Sequence, residues 1–249
     1  MPIDVETPTI RRFPVLEKLV ADIGAEAKMY EWNTNSASAA DEPKIIIGLT
    51  GFKQSGKDTV ARLLCPEDIV GPYNGFHHIN FADTLRAMLK PLLEAYGFSQ
   101  RDIRDIMLGS RKEEPLDCFG GRSYRFMAQT LGTEWGRDLV FDGIWINAFR
   151  RKAAQRLRVV CSDVRFPNEA EAIHLDGGKV YRVMANWHRN NDADLHPSEA
   201  LIPTLEIDGE IENNFHNDDN FRDSRLFEAI SALILRDFGV NLQRPFNMR

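Results

Sequence analysis

Little in this chain points to bound metal, disulfides or a membrane. It holds only three cysteines, Cys65, Cys118 and Cys161, far apart and without a C-x-x-C pair. Neither a zinc site nor a disulfide frame can be read from them, so they read as buried or incidental thiols of a reducing compartment. His77 and His78 have no further ligand at metal-binding spacing. No apolar run approaches the roughly 18 residues needed to cross a bilayer. The start, Met1 to Glu6, lacks the basic-then-apolar order of a signal peptide. A cytoplasmic protein without a membrane partner is expected. Positive charge is also short overall: the formal net charge is −6, which argues against a surface that coats nucleic acid. Small anionic substrates remain open, because local arginines can serve a pocket inside an acidic protein.

What is there begins with a phosphate-loop pattern. The β-branched run Ile45–Ile47 leads into Gly51-Phe52-Lys53-Gln54-Ser55-Gly56-Lys57, and the helix-compatible segment Thr59–Leu64 follows. A strand, a Gly-x-x-x-x-Gly-Lys loop and a helix in that order wrap an anion against the helix N-terminus. Gly51 and Gly56 allow torsions and close approaches that a β-carbon would block. Lys57 adds a mobile positive charge for the β- and γ-phosphates of a nucleoside triphosphate. One departure stands out, since Asp58 occupies the usual Ser/Thr position and Thr59 comes one place later. Thr59 is then the nearest hydroxyl for magnesium, directly or through water, with Ser55 a second donor; helix capping is the plainer role for Thr59.

With 249 residues, 43% hydrophobic and 27% charged, the chain has room for one large α/β domain or two small ones. Residues 1–43 read as an N-terminal extension, an amphipathic helix near 13–30 and then a polar linker, ahead of a main domain at 44–249. In that domain the patterning predicts a strand over 75–81, helices over 83–96 and 99–107, and a loop over 109–124. Helices over 124–139 and 143–157 follow, then a buried strand over 158–163, a helix over 168–175 and a strand over 179–183. A mobile loop at 185–200 and a last helix at 222–238 complete the order. Alternating strands and helices predict a three-layer α/β/α sandwich with a mostly parallel sheet. Gly51, the Phe81–Asp83 junction and Asp163 all fall at strand ends, where such folds gather ligands.

Asp163 closes the run Val159-Val160-Cys161-Ser162, the form of a strand-end acid that holds a magnesium-bound water or a substrate hydroxyl; an acid placed before a turn is the bland alternative. Arg165 and Glu169 sit just beyond it. Arg86, Arg111, Arg122, Arg125, Arg137, Arg150 and Arg151 are spread between the strands, and phosphoryl transfer needs fixed guanidinium groups. Arg150 and Arg151 look like an ordinary charged face. Trp145 offers either a stacking surface or a core residue.

Several blocks occur together in one order: Gly51–Val60, Asn80–Asp83, Thr130–Arg137, Ile144–Ile146, Ser162–Glu169 and His196–Glu199. Over about residues 44–215 they resemble the bacteriophage deoxynucleoside monophosphate (dNMP) kinases, distant relatives of adenylate and guanylate kinases. The Gly-Lys-x-Thr arrangement is similar to the loop of that wider group. The resemblance implies a P-loop fold with helical acceptor-binding and lid segments, and transfer of the ATP γ-phosphoryl group to a dNMP with Mg2+. It implies an ATP-binding loop of Gly51, Lys53, Ser55, Gly56, Lys57, Asp58 and Thr59. It implies a dNMP pocket of Arg86, Arg125, Gln129, Thr133, Arg137, Trp145, Asp163, Arg165 and Glu169, with Lys57, Arg137 and Arg165 as the catalytic groups. Ala185–Glu199 falls where such kinases close a lid. A homodimer and, for a phage-encoded protein, the host cytoplasm also follow from it. Another small-molecule P-loop kinase, acting on dephospho-coenzyme A or phosphomevalonate, and a non-catalytic nucleotide-binding module are the alternatives.

Overall fold

The computed structural model describes residues 43–65, 73–185, 200–213 and 222–244, within the unit Pro43–Arg249. The expected helix near 13–30, its linker and nearly all of the lid segment lie outside the described residues. Strand β1 (Ile45–Thr50) is buried along its whole length, as an unbroken β-branched run in a parallel sheet should be. It pairs in parallel with β5 (Arg158–Cys161) on one side and β6 (Lys179–Met184) on the other, so Ile47 lies opposite both Val160 and Lys179. Strands β2 (Phe76–His78) and β7 (Gly209–Glu212) extend the sheet in parallel at its two edges, giving the order β2-β5-β1-β6-β7.

The period-two alternation of β1 sorts two cores. Ile45, Ile47 and Leu49 pack with Val60 and Leu64 of α1 (Lys57–Leu64) and with Leu226, Phe227, Ile230 and Ile234 of α7 (Arg222–Phe238). On the other face Ile46 meets Phe149 and Ala153 of α5 (Ile144–Ala153) and Ala170 and Ile173 of α6 (Pro167–Leu175). Each such aliphatic side chain stabilises the fold by about 1.5–3 kcal/mol on full burial. The α/β/α sandwich is therefore as expected.

A third core is mostly helical and stands apart from the main sheet in sequence, between β2 and β5. Leu85, Leu89 and Leu93 of α2 (Asp83–Ala95) pack with Ile103 and Ile106 of α3 (Gln100–Met107), Tyr124 of α4 (Tyr124–Thr130) and Trp145. The Ser99 hydroxyl accepts from the Asp102 amide to start α3, and Ser123 accepts from Phe126 to start α4.

Four details differ from the sequence reading. The 109–124 stretch is structured, with 3-10 turns at Ser110–Glu113 and Asp117–Phe119 and an antiparallel pair, β3 (Pro115–Leu116) and β4 (Arg122–Ser123). Helix α4 continues as a π-helix over Leu131–Val140, a form often found at functional sites. Strand β7 was not expected, because only Ile211 among its residues is fully buried and glutamates flank it. Strand β2 stops at His78 because the chain beyond it turns: the Asn80 amide donates to Asp83, and those of Phe81 and Ala82 donate to Asp163. Among the described residues no helix is long and apolar enough to cross a membrane.

Candidate active site

The loop after β1 is shaped by its backbone. Gly51 has φ of +140° and Gly56 +104°, both costly for a residue with a side chain. A β-carbon at Gly51 would run into the Val183 carbonyl, and one at Gly56 into the Asn213 side chain. No side chain caps α1, which leaves its first amides pointing at the space an anion takes at a helix N-terminus. The Lys57 ammonium is folded back on the loop, donating to the carbonyls of Gly51 at 2.6 Å and Phe52 at 2.7 Å. Ser55 is buried within the loop, Lys53 is exposed on its rim, and Thr59 is half-buried. Among the described residues the Thr59 hydroxyl has no hydrogen bond, so it does not serve as a cap.

Sequence reasoning missed the brace under this loop. Asn213, just past β7 and buried, donates from Nδ2 to the Ser55 carbonyl at 2.9 Å, and its own amide donates to Met184. The signal was absent because β7 itself was not legible, so nothing placed Asn213 beside residues 158 positions earlier.

Asp58 reaches across to the end of β5. The Ser162 hydroxyl donates to Asp58 at 2.8 Å and lies 2.9 Å from His78 Nε2. Since that hydroxyl proton is given to Asp58, His78 meets Ser162 as the donor. The Ser162 amide donates to Asn80 at 2.8 Å. Ser162 and Asn80 thus join the loop to the start of α2. Asp163 holds the same junction: it accepts from the amides of Phe81 at 2.9 Å and Ala82 at 3.1 Å, and its carboxylate lies 3.8 Å from Arg86. Arg86 also donates to Asp83 at 2.9 Å. The strand-end acid therefore fixes an arginine and a helix start.

Glu169 is the other buried acid, 3% exposed. It accepts from Arg137 Nη2 at 2.6 Å and from the amides of Arg165 and Phe166 at 2.8 and 3.1 Å. Burial, and then the neighbouring Asp163 carboxylate, raise its pKa to about 7, against the pull of Arg137 and the two amides. Arg137 is held on three sides, by Glu169, by Asp142 at 3.6 Å and by the Phe166 ring at 4.2 Å. Its Nη1, the atom that faces Asp142 at 3.6 Å, is buried and makes no hydrogen bond among the described residues, so its N–H groups can turn to a ligand.

The turn Ser110–Glu113 connects the two sides. Glu113 pairs with Arg125 of α4 and lies 3.9 Å from Lys53 of the loop. The Trp145 ring is buried against Gly136, and its Nε1 donates to the Gly132 carbonyl at 2.7 Å. Trp145 therefore stands beneath the π-helix and sets its position; the exposed tryptophan there is Trp135, its neighbour at 6.5 Å between ring centroids. Thr133 is exposed on the π-helix and Gln129 half-buried on α4. Arg165 is half-buried beyond β5. Arg150 pairs with Asp176 on the surface at 2.5 Å, the ordinary charged face expected of it. His196 lies outside the described residues.

Loop, strand ends and arginines thus meet around one region, with an anion-ready helix terminus on one side and cations anchored by buried acids on the other. No protein-family model matches the chain. A protein of Escherichia phage T5, named deoxynucleoside-5'-monophosphate kinase, is 36% identical over 107 residues, 40% of this chain and 43% of the phage protein. A protein of Acanthamoeba polyphaga mimivirus, named "Putative deoxynucleotide monophosphate kinase", is 32% identical over 174 residues, 65% of this chain and 83% of the viral protein. Kinship over that share of a relative, with the fold and loop geometry described above, shows that the chain belongs to the deoxynucleoside monophosphate kinase family.

Proposed function

We propose that residues 44–249 transfer the γ-phosphoryl group of ATP to a dNMP, giving dNDP and ADP, with residues 1–43 as an appended segment. The observation that carries this reading is the pairing of a phosphate loop with a second, separate set of anchored cations. A nucleotide hydrolase needs only the first. An enzyme with a phosphorylated acceptor needs both.

Lys57 exchanges the carbonyls of Gly51 and Phe52 for the β- and γ-phosphates of ATP, while the amides at the start of α1 take the remaining oxygens. Arg137 presents Nη1, which makes no hydrogen bond among the described residues and has only the exposed Asp142 at 3.6 Å, to the acceptor, with Glu169 fixing the plane of the guanidinium; Arg86, Arg125 and Arg165 add charge around it. A phosphomonoester has its second pKa near 6, so the attacking oxygen is ionised at neutral pH and no general base is required. Positioning and charge neutralisation remain as the work of the protein.

The residues present fit magnesium. Mg2+ keeps several waters and takes one or two protein oxygens beside the substrate phosphates. The uncommitted Thr59 hydroxyl and the exposed Asp58 carboxylate supply oxygen donors at the correct end of the loop. When bound, the ion would neutralise charge on the β- and γ-phosphates.

The test is ADP release in a coupled assay, with ATP and each dNMP and ribonucleotide monophosphate in turn. Release that depends on a dNMP is the expected result. No acceptor-dependent release from any of them would end the kinase reading. Release with dephospho-coenzyme A or phosphomevalonate alone would move the chain to another small-molecule kinase.

A further inference from the structure

We propose that Lys112 is a substrate-contacting residue, binding the phosphoryl group as it passes from the donor loop to the acceptor. The proposal rests on the kinase reading above and names a residue that neither the motif blocks nor the strand ends pointed to.

Its place in the Ser110–Glu113 turn is the first argument. The neighbours of Lys112 in sequence are all committed. Arg111 is bound to Asp102 at 2.9 Å and to Glu114 at 2.6 Å. Glu113 joins Arg125 on the acceptor side and Lys53 on the donor loop. This turn therefore bridges the two halves. Lys112 is half-buried within it and makes no hydrogen bond or ion pair among the described residues.

The second argument is the company it keeps. The charges of Arg86 of α2, Arg125 of α4 and Arg165 beyond β5 act on it, and Asp58 of the loop acts in the opposite sense. Arg86 has Asp83 and Asp163 as partners, and Arg125 has Glu113. Lys112 has no such carboxylate at contact distance. A half-buried ammonium among guanidinium groups is unfavourable until an anion arrives. Burial and then the adjacent arginines accordingly lower its pKa, with Asp58 opposing. Its turn is tied through Glu113 to Lys53 of the donor loop and to Arg125 of the acceptor side, so Lys112 stands on the segment that spans the path of the transferred group. The bond from the γ-phosphorus to the β-phosphate oxygen breaks and a bond to a dNMP phosphate oxygen forms. Both nucleotides enter and leave ionised, so Lys112 acts as a charge and keeps its proton.

Lys112→Met and Lys112→Arg, in the full chain, test this. In the dNMP-dependent ADP assay Lys112→Met is expected to lower kcat by about 10²-fold, with ATP-analogue affinity in the absence of dNMP unchanged. Lys112→Arg keeps the charge and should recover most of that loss. It should also move the alkaline limb of kcat/KM for dNMP to higher pH, since a guanidinium holds its proton beyond the range of an ammonium; the charged groups acting at this position are Arg86, Arg125, Arg165 and Asp58. In the unmodified protein, acetylation of Lys112 should slow when an ATP analogue and dNMP are both bound. Lys112→Met with turnover within a few fold of wild type, or acetylation indifferent to the substrates, would overturn the proposal. If Lys112→Met does not fold, Lys112→Arg and the acetylation rates decide alone. A wild-type protein without dNMP-dependent turnover would instead overturn the parent reading.

Discussion

Every group on the donor side comes from one short stretch, Gly51 to Thr59, and most of the contacts it offers are backbone amides. The acceptor side draws Arg86 from α2, Arg125 from α4, Arg137 from the π-helix and Arg165 and Glu169 from the segment after β5. Its groups are side chains, and nearly all are already paired with acids: Arg86 with Asp83 and Asp163, Arg125 with Glu113, Arg137 with Glu169. The difference has a physical consequence. A loop made of backbone can lose its donor lysine and stay folded. A pocket built on a buried ion pair such as Arg137–Glu169 cannot lose one partner without leaving the other as an uncompensated buried charge.

Two variants put that contrast at risk. Lys57→Ala removes the donor cation, which in the free protein donates to two carbonyls and lies near the Ser55 hydroxyl of its own loop. Turnover should fall by about 10²–10³-fold, while the thermal midpoint stays where it was. Arg137→Ala should remove activity as well and, at pH 8, destabilise the fold by about 3–5 kcal/mol through the stranded Glu169 carboxylate. Each kcal/mol lowers Tm by about 2–4 °C in a chain of this size. Calorimetry beside the ADP assay separates the two. Equal thermal midpoints for both variants would mean that the acceptor arginine is as dispensable to the fold as the donor lysine.

The same contrast explains what could be seen in the sequence. The donor half is local, so the run Ile45–Ile47, two glycines and Lys57 announce strand, loop and helix without any knowledge of tertiary structure. The sheet was legible for a similar reason, since β1 and β5 read as apolar runs buried nearly throughout, and β6 keeps Val180, Tyr181 and Val183 buried. Strand β7 is not, because an edge strand carrying Glu210 and Glu212 has no such run. The brace by Asn213 went unseen with it. In the acceptor half the resemblance of the Thr130–Arg137 and Ser162–Glu169 blocks named residues, yet periodicity could not tell that Glu169 holds Arg137. Nor could it tell that Trp145 lies under the π-helix: a tryptophan whose ring packs on Gly136 and whose Nε1 finds a carbonyl is set by tertiary contact alone. Lys112 was hidden because its significance lies in three arginines from three other elements.

The donor loop nevertheless has one tertiary dependence, and Asn213→Ala measures it. Loss of the Nδ2 bond leaves the buried Ser55 carbonyl without that donor, a cost of about 1–3 kcal/mol. The loop conformation that receives ATP is then less populated, so KM for ATP should rise about tenfold at 1.4 kcal/mol, while KM for dNMP changes little. A rise confined to dNMP would show that the two halves are coupled through β7, contrary to their separate construction.

The smallest effect expected is a dependence on pH that only the acceptor half possesses. Glu169 has its pKa raised to about 7 by burial and by Asp163, from an unfolded value of about 4.3. Between those values the folded protein binds the proton more than the unfolded one does, so this residue makes stability fall as pH rises through the interval. Its effect on binding has the opposite sign. Only the ionised carboxylate accepts from Arg137 and both amides, so the guanidinium is best held above pH 7, and KM for dNMP should fall as pH increases. Glu169→Gln cannot ionise and should lose both trends. Against that variant, the wild-type Tm should decline by a few degrees between about pH 5 and pH 8. The dNMP phosphate titrates near pH 6 in both proteins, so only the difference between their KM profiles belongs to Glu169. Parallel profiles for Tm and for KM would mean that Glu169 stays ionised throughout, held by Arg137 more firmly than burial and Asp163 oppose it. The acceptor half would then be as insensitive to pH as the donor loop.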